Sequence, residues 1–176
     1  EPQGASPPGK REKGAEFRII VFLRRLAARR NRGALAKLRR GLGRESPGAD
    51  ALQLLVPHIP PYWGEWQRLC CYQVAALFAT HPLDTREGNL GDTFRRLGNH
   101  ESAQKRFARL LSADGHDVFP FLRQAVALAR SKDVEVNYLQ LLKDLFWWDG
   151  PSRYAQERWA RSYWFRSEES PESVED

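Results

Sequence analysis

An all-α fold, a compact bundle of about eight helices, is what this sequence predicts, and three observations carry it. Apolar residues recur with the 3.6-residue period through most of the chain. No run alternates with period two over strand length, and no Asn-Gly hairpin signal occurs. Glycines and prolines fall between the periodic runs, where helices must stop.

In order along the chain, residues 1–14 form a Pro/Gly/Ser-rich leader that is expected to be disordered and has no secretory h-region. A helix follows over 15–30, and its continuous Ile19-Ile20-Val21-Phe22-Leu23 run favours burial in protein over an amphipathic membrane helix. Next comes a short helix in which Leu35, Leu38 and Leu42 stand at i, i+3 and i+7 on the inward side. At about 100° per residue, Lys37 and Arg40 point away from that stripe and Arg39 lies at its flank. Asn31 is the expected N-cap, and Gly41 and Gly43 stop the helix. A loop over 44–49 leads to a short helix at 51–56, stopped by Pro57, and then to an extended connector through Pro60-Pro61. Trp66, Leu69, Cys70, Gln73, Val74, Leu77 and Phe78 keep the helical period almost without fault, so 62–79 or 63–79 is the expected central helix.

The polar stretch at 80–89 is the expected boundary between an N-terminal lobe at 15–79 and a C-terminal lobe at 90–165. Helices at 90–97 and 101–112 flank Gly98-Asn99-His100; in the second, Ala103, Phe107, Leu110 and Leu111 face inward while Lys105, Arg106 and Arg109 share the other side. After a turn at 112–117, a helix over 119–130 has Pro120 in its first turn and is expected to bury Phe121, Leu122, Ala125, Val126, Leu128 and Ala129. Asn137 caps a helix reaching 148, and a last helix over 151–165 carries Trp159, Tyr163 and Trp164 on its apolar side. Residues 166–176 form an acidic tail, expected to be disordered.

The formal charge is +6, and its placement is more informative than its size. Thirteen Lys or Arg fall between Lys10 and Arg44 against two glutamates, whereas the tail from Glu168 onward has five carboxylates and no cation. Such asymmetry suits a nucleic-acid binder. Arg outnumbers Lys by 22 to 6, and guanidinium groups grip phosphates with a two-toothed fork, although a GC-rich genome also inflates this ratio. The only cysteines, Cys70 and Cys71, are adjacent, so they read as small core residues of a reduced, cytoplasmic protein. No apolar run approaches the roughly 18 residues that span a bilayer.

Catalysis would have to come from the histidines and carboxylates. His116-Asp117 matches the paired ligands of HD-type metal phosphohydrolases, with His81 or His100 upstream and Asp133 or Asp144 downstream as the remaining ligands. The pair stands in a glycine-containing turn rather than on a helix, which favours a surface turn and no metal or cofactor. No Walker loop, GxGxxG, HExxH or GxSxG motif is present. The pair of helices around Gly98 fits a helix-turn-helix regulator in outline, but Gln104 and Phe94 are wrong for its interior. Trp147, Trp148, Trp159 and Trp164 could stack on bases, yet leucines between them at helical spacing favour packing. What remains is a helical protein with two cationic faces, the second extended by Arg123, Arg130 and Lys132, able to follow a phosphate backbone regardless of sequence. An ordinary solvated basic face is the other reading of each.

Three pieces carry a family resemblance: 32–41 (RGALAKLRRG), Leu90-Gly91 leading to 106–111 (RFARLL), and the ending 137–145 (NYLQLLKDL) through Trp147-Trp148 to Arg158-Trp159-Ala160-Arg161. In this order and spacing they resemble the small subunit (CasB) of the type I-E CRISPR surveillance complex, Cascade. The resemblance implies a non-enzymatic subunit, present in two copies beside the backbone and large subunits, that holds the crRNA–target DNA heteroduplex and the displaced non-target strand and so stabilises the R-loop. It places nucleic-acid-contacting cations at Arg39, Arg40, Lys105, Arg106 and Arg123; Arg29, Arg32, Lys37, Arg109 and Arg130 complete the expected binding set.

Overall fold

The computed structural model describes residues 14–165; the acidic tail and all of the leader except Gly14 lie outside them. Nine α-helices are described: α1 (Ala15–Ala28), α2 (Arg32–Arg39), α3 (Ala49–Leu55), α4 (Glu65–Thr80), α5 (Leu90–Leu97), α6 (Glu101–Ser112), α7 (Val118–Ser131), α8 (Tyr138–Phe146) and α9 (Tyr154–Ala160). A π-helical turn at Arg161–Phe165 continues α9. There is no strand among the described residues; the nearest thing is a single parallel bridge between Asp84 and Val136. The all-α prediction therefore holds. None of the described helices is long and apolar enough to cross a membrane.

Local chemistry sets the helix starts. The Asn31 side chain accepts the Ala34 N–H at 3.1 Å, and Asn137 accepts that of Gln140 at 3.0 Å, as their N-cap positions predict. At α5 the cap is reciprocal: Asn89 accepts from the Gly91 N–H while Asp92 accepts from the Asn89 N–H, both at 2.8 Å. The last helix starts three residues later than the 151–165 prediction, because Arg153 takes a left-handed φ of 47° that a helix cannot include.

Helix α4 is the centre, as its period predicts, and packs against α2 on one hand and α7 and α8 on the other. Its Cys70 and Cys71 are fully buried, and burial pushes both thiols up so that they stay protonated. One apolar cluster runs from Ile19 to Tyr163 and contains Phe78, Phe107, Trp148 and Trp159. Trp148 and Trp159 meet with ring centroids 4.9 Å apart. Their indole N–H groups donate to the Ala113 carbonyl at 2.9 Å and to Asp144 at 2.7 Å, so neither buried ring leaves a donor unmet. Burial pushes the Asp144 carboxyl up, while donors from Trp159 and Gln140 and the charge of Arg158 pull it back.

Two details fix how the later helices sit. A Cβ at Gly91 would collide with the Trp159 carbonyl oxygen, so only glycine lets α5 and α9 approach this closely. The polar 80–89 stretch is stitched to 134–138: the Thr85 N–H donates to the Val136 carbonyl and the Val136 N–H to that of Leu83, both at 3.1 Å, and the Tyr138 hydroxyl donates to the His81 carbonyl at 2.6 Å. Asp84 there accepts the Arg24 guanidinium of α1 at 2.5 Å.

Candidate nucleic-acid interface

Helix α2 buries Ala34, Leu35 and Leu38, which turns its remaining faces outward. Arg40 is exposed, as its spacing predicts, and so are Arg29 and Arg32 at the entry; Lys37, expected to point away from the leucines with Arg40, is only half exposed, while Arg39 on the flank is open. Arg29 and Arg32 crowd the amino-terminal end of α2, whose first turn contains no carboxylate. Cations there face the positive end of the helix dipole, an arrangement that costs about 0.3–1 kcal/mol each and that a bound anion would reverse.

The other end of α2 is closed by a turn. The Gly41 N–H donates to the Leu38 carbonyl at 3.0 Å and the Leu42 N–H to that of Arg39 at 3.1 Å; Gly43 then takes a left-handed φ of 78°. Gln73 of α4 donates to the Arg44 carbonyl at 2.6 Å and pins the turn to the central helix. The guanidinium of Arg123, on α7, lies against this turn: a Cβ at Gly43 would stand 3.5 Å from its central carbon. Arg39, Arg40 and the exposed Arg44 thus share one turn with a cation supplied from more than seventy residues away.

The structure corrects one expectation from the spacing. Arg123, predicted to extend the α6 face, meets the turn after α2 instead, because α7 packs on α4 and α6 together and presents different sides to each. On α6, Lys105, Arg106 and Arg109 are all exposed. Arg109 and Phe121 of α7 border the shallow groove between those two helices. Arg130 is exposed in the last turn of α7, where a cation also suits the helix dipole, and Lys132 donates to the Leu97 carbonyl at 3.2 Å. Among the described residues only two of the ten expected cations meet a carboxylate. Arg40 stands 3.9 Å from Asp50 and Lys105 2.5 Å from Glu101, both in exposed pairs of the kind worth about 0–1 kcal/mol. Arg44 is the contact candidate that the periodicity missed, since it follows the helix rather than lying on it.

The histidines have structural work. His81 is buried with Nε2 2.7 Å from the Val134 carbonyl, and His100 caps α6 through Nδ1. His116 lies beside the rings of Trp66 and Phe119, and His58 stacks on Phe22 at 4.1 Å. No three His, Cys, Asp or Glu gather as metal ligands among the described residues. Of the four tryptophans with a possible base-stacking role, Trp148 and Trp159 are core, Trp164 packs edge-on against Phe107 at 5.2 Å, and Trp147 stands in the open, 68% exposed.

Residues 34–164 match the family model for CRISPR-associated protein Cse2. The chain belongs to the Cse2 family. It is 34% identical over 155 residues to the CRISPR-associated protein Cse2 of Thermus thermophilus, covering 84% of this chain and 88% of that one. It also resembles the crystal structure of CasB from Thermus thermophilus, with a TM-score of 0.74 and 33% identity over 84% of this chain and 96% of that one. A chain in a structure described as a CRISPR RNA-guided surveillance complex is similar as well, with a TM-score of 0.71 and 25% identity over 85% of this chain and 91% of that chain. The match starts inside α2 and ends in the π-helical turn, so it includes Lys37, Arg39 and Arg40 and all of α6 and α7, while Arg29 and Arg32 precede it.

Proposed function

We propose that this chain is a non-catalytic small subunit of a type I-E CRISPR Cascade complex in the cytoplasm. It holds the guide RNA–target DNA heteroduplex and the displaced non-target strand by their backbones and stabilises the R-loop in antiviral defence. It works beside the backbone and large subunits and a second copy of itself, without a cofactor. Base pairing supplies the sequence discrimination, and the protein supplies cations. Exchanging a DNA duplex for a heteroduplex is nearly balanced in energy, so a few contacts of about 1 kcal/mol each are enough to tip it.

The observation that carries this reading is the meeting of Arg123 with the turn that bears Arg39, Arg40 and Arg44, where only Arg40 has a carboxylate neighbour among the described residues. Among the described residues Arg39, Arg44 and Arg123 meet no carboxylate at ion-pairing distance, and a phosphate rail is a suitable external partner for them.

A filter-binding titration at several salt concentrations tests it. Single and double strands of unrelated sequence are expected to bind alike, with log K falling linearly in log salt. Sequence-selective binding at raised salt would point to the helix-turn-helix regulator. Metal-dependent phosphodiester hydrolysis that disappears in His116→Ala would point to the phosphohydrolase. Co-purification with guide RNA and the neighbouring subunits tests membership of the complex directly.

A further inference from the structure

Away from the turn after α2, a second concave place lies where α1 and α8 pack together and the 81–89 segment closes one side. This pocket of about 270 Å³ is bordered by Phe17 and Arg24 of α1, by Arg86, and by Leu139, Gln140 and Lys143 of α8. Its cations differ in their surroundings. Arg24 donates Nε to Asp84, and its Nη2 is buried with no hydrogen-bond partner. Lys143 stands 3.8 Å from Glu16. Arg86 is exposed and has no ion-pair partner among the described residues. Three cations against Asp84 and Glu16 leave one positive charge in excess.

A phosphodiester track draws on several uncompensated cations and on the counterions they displace. One excess charge beside an apolar wall suits something else: a single carboxylate with an apolar neighbour. Charge-assisted hydrogen bonds would hold the carboxylate, and desolvated apolar contact would hold the rest. The wall exists, since Phe17 is 47% exposed at the rim.

We infer that the α1–α8 pocket is a socket for an acidic peptide segment of a partner protein. One Asp or Glu side chain is received by Arg86 and Lys143, and an adjoining apolar side chain lies on Phe17 and Leu139. The inference rests on the assembly proposed above and gives it a protein-docking point separate from the nucleic-acid surface.

A benzophenone amino acid placed at Phe17 of the full chain, assembled with guide RNA and the neighbouring subunits and then irradiated, tests the socket. The expected product is a crosslink to another protein subunit, mapped to a peptide in which Asp or Glu adjoins an apolar residue. Adding Arg86→Glu is expected to lower its yield about tenfold through like-charge repulsion. The same variant should keep an unchanged thermal midpoint and an unchanged salt slope for DNA. A crosslink to nucleic acid, to a second copy or to the chain's own residues beyond 165 would overturn the socket, as would an assembled complex with no crosslink at Phe17. Failure of the unmodified chain to assemble at all would bring down the proposed function and the socket together.

Discussion

The turn after α2 and the seam between 81–89 and 134–138 are both irregular, polar stretches of chain, and each is met by an arginine from a distant helix, Arg123 of α7 and Arg24 of α1. They use it in opposite ways. In the seam, Arg24 meets Asp84 in a mostly buried pair, and Asp84 also accepts the Tyr138 N–H at 3.3 Å. At the turn, Arg39 and Arg123 have no carboxylate at ion-pairing distance among the described residues. Residue type does not separate a structural cation from one available to a partner. What separates them is whether the fold supplies an anion.

The strongest way to break that contrast acts on neither arginine. Gly91→Ala drives a methyl group into the Trp159 carbonyl and is expected to destabilise the fold by about 3 kcal/mol or more, read as a fall in denaturation midpoint. The fraction that stays folded should bind DNA as before. Arg24→Ala comes next. It leaves Asp84, 12% exposed, without its cation and should cost about 2 kcal/mol of stability with no change in salt slope. Arg39→Ala and Arg123→Ala should reverse the pattern. Their stability should stay within about 0.5 kcal/mol of the parent, and the slope of log K against log salt should become shallower by about 0.9 for each phosphate left without its cation. If Arg24→Ala and Arg39→Ala gave the same result, the distinction between the two regions would fail.

The smallest effect concerns pH. Burial, helped by the charge of Arg25, holds His58 below its ordinary value of 6.5. The unfolded chain therefore binds that proton first. Stability is fully present above about pH 6.5 and declines as the pH falls through that value and on through the lowered one. Thermal midpoints at pH 7.5 and 5 should differ less in His58→Phe than in the parent, since a phenyl ring keeps the stack on Phe22 without titrating.

Much of the architecture was legible because it follows from spacing. The leucines of α2, the long period of α4 and the Asn31 and Asn137 caps are local signals, and each forms as its residues predict. Nonlocal features were not legible. The 80–89 stretch reads as a loop between lobes, yet its backbone and the Tyr138 hydroxyl tie it to residues some fifty positions away. Nothing in the period of α7 says that Arg123 faces Gly43 while Phe121 faces α6. Gly91 is the intermediate case: visible as part of a family pattern, but explained only by the carbonyl that it admits.

The crowd of arginines where α2 begins has a practical corollary. With no acid in that turn to quiet them, the purified protein should hold on to stray oligonucleotides from the host, recognisable by an ultraviolet absorbance ratio tilted toward 260 nm. Stripping them at high ionic strength should leave a preparation that melts earlier than before, so the polyanion behaves as a missing piece of the helix.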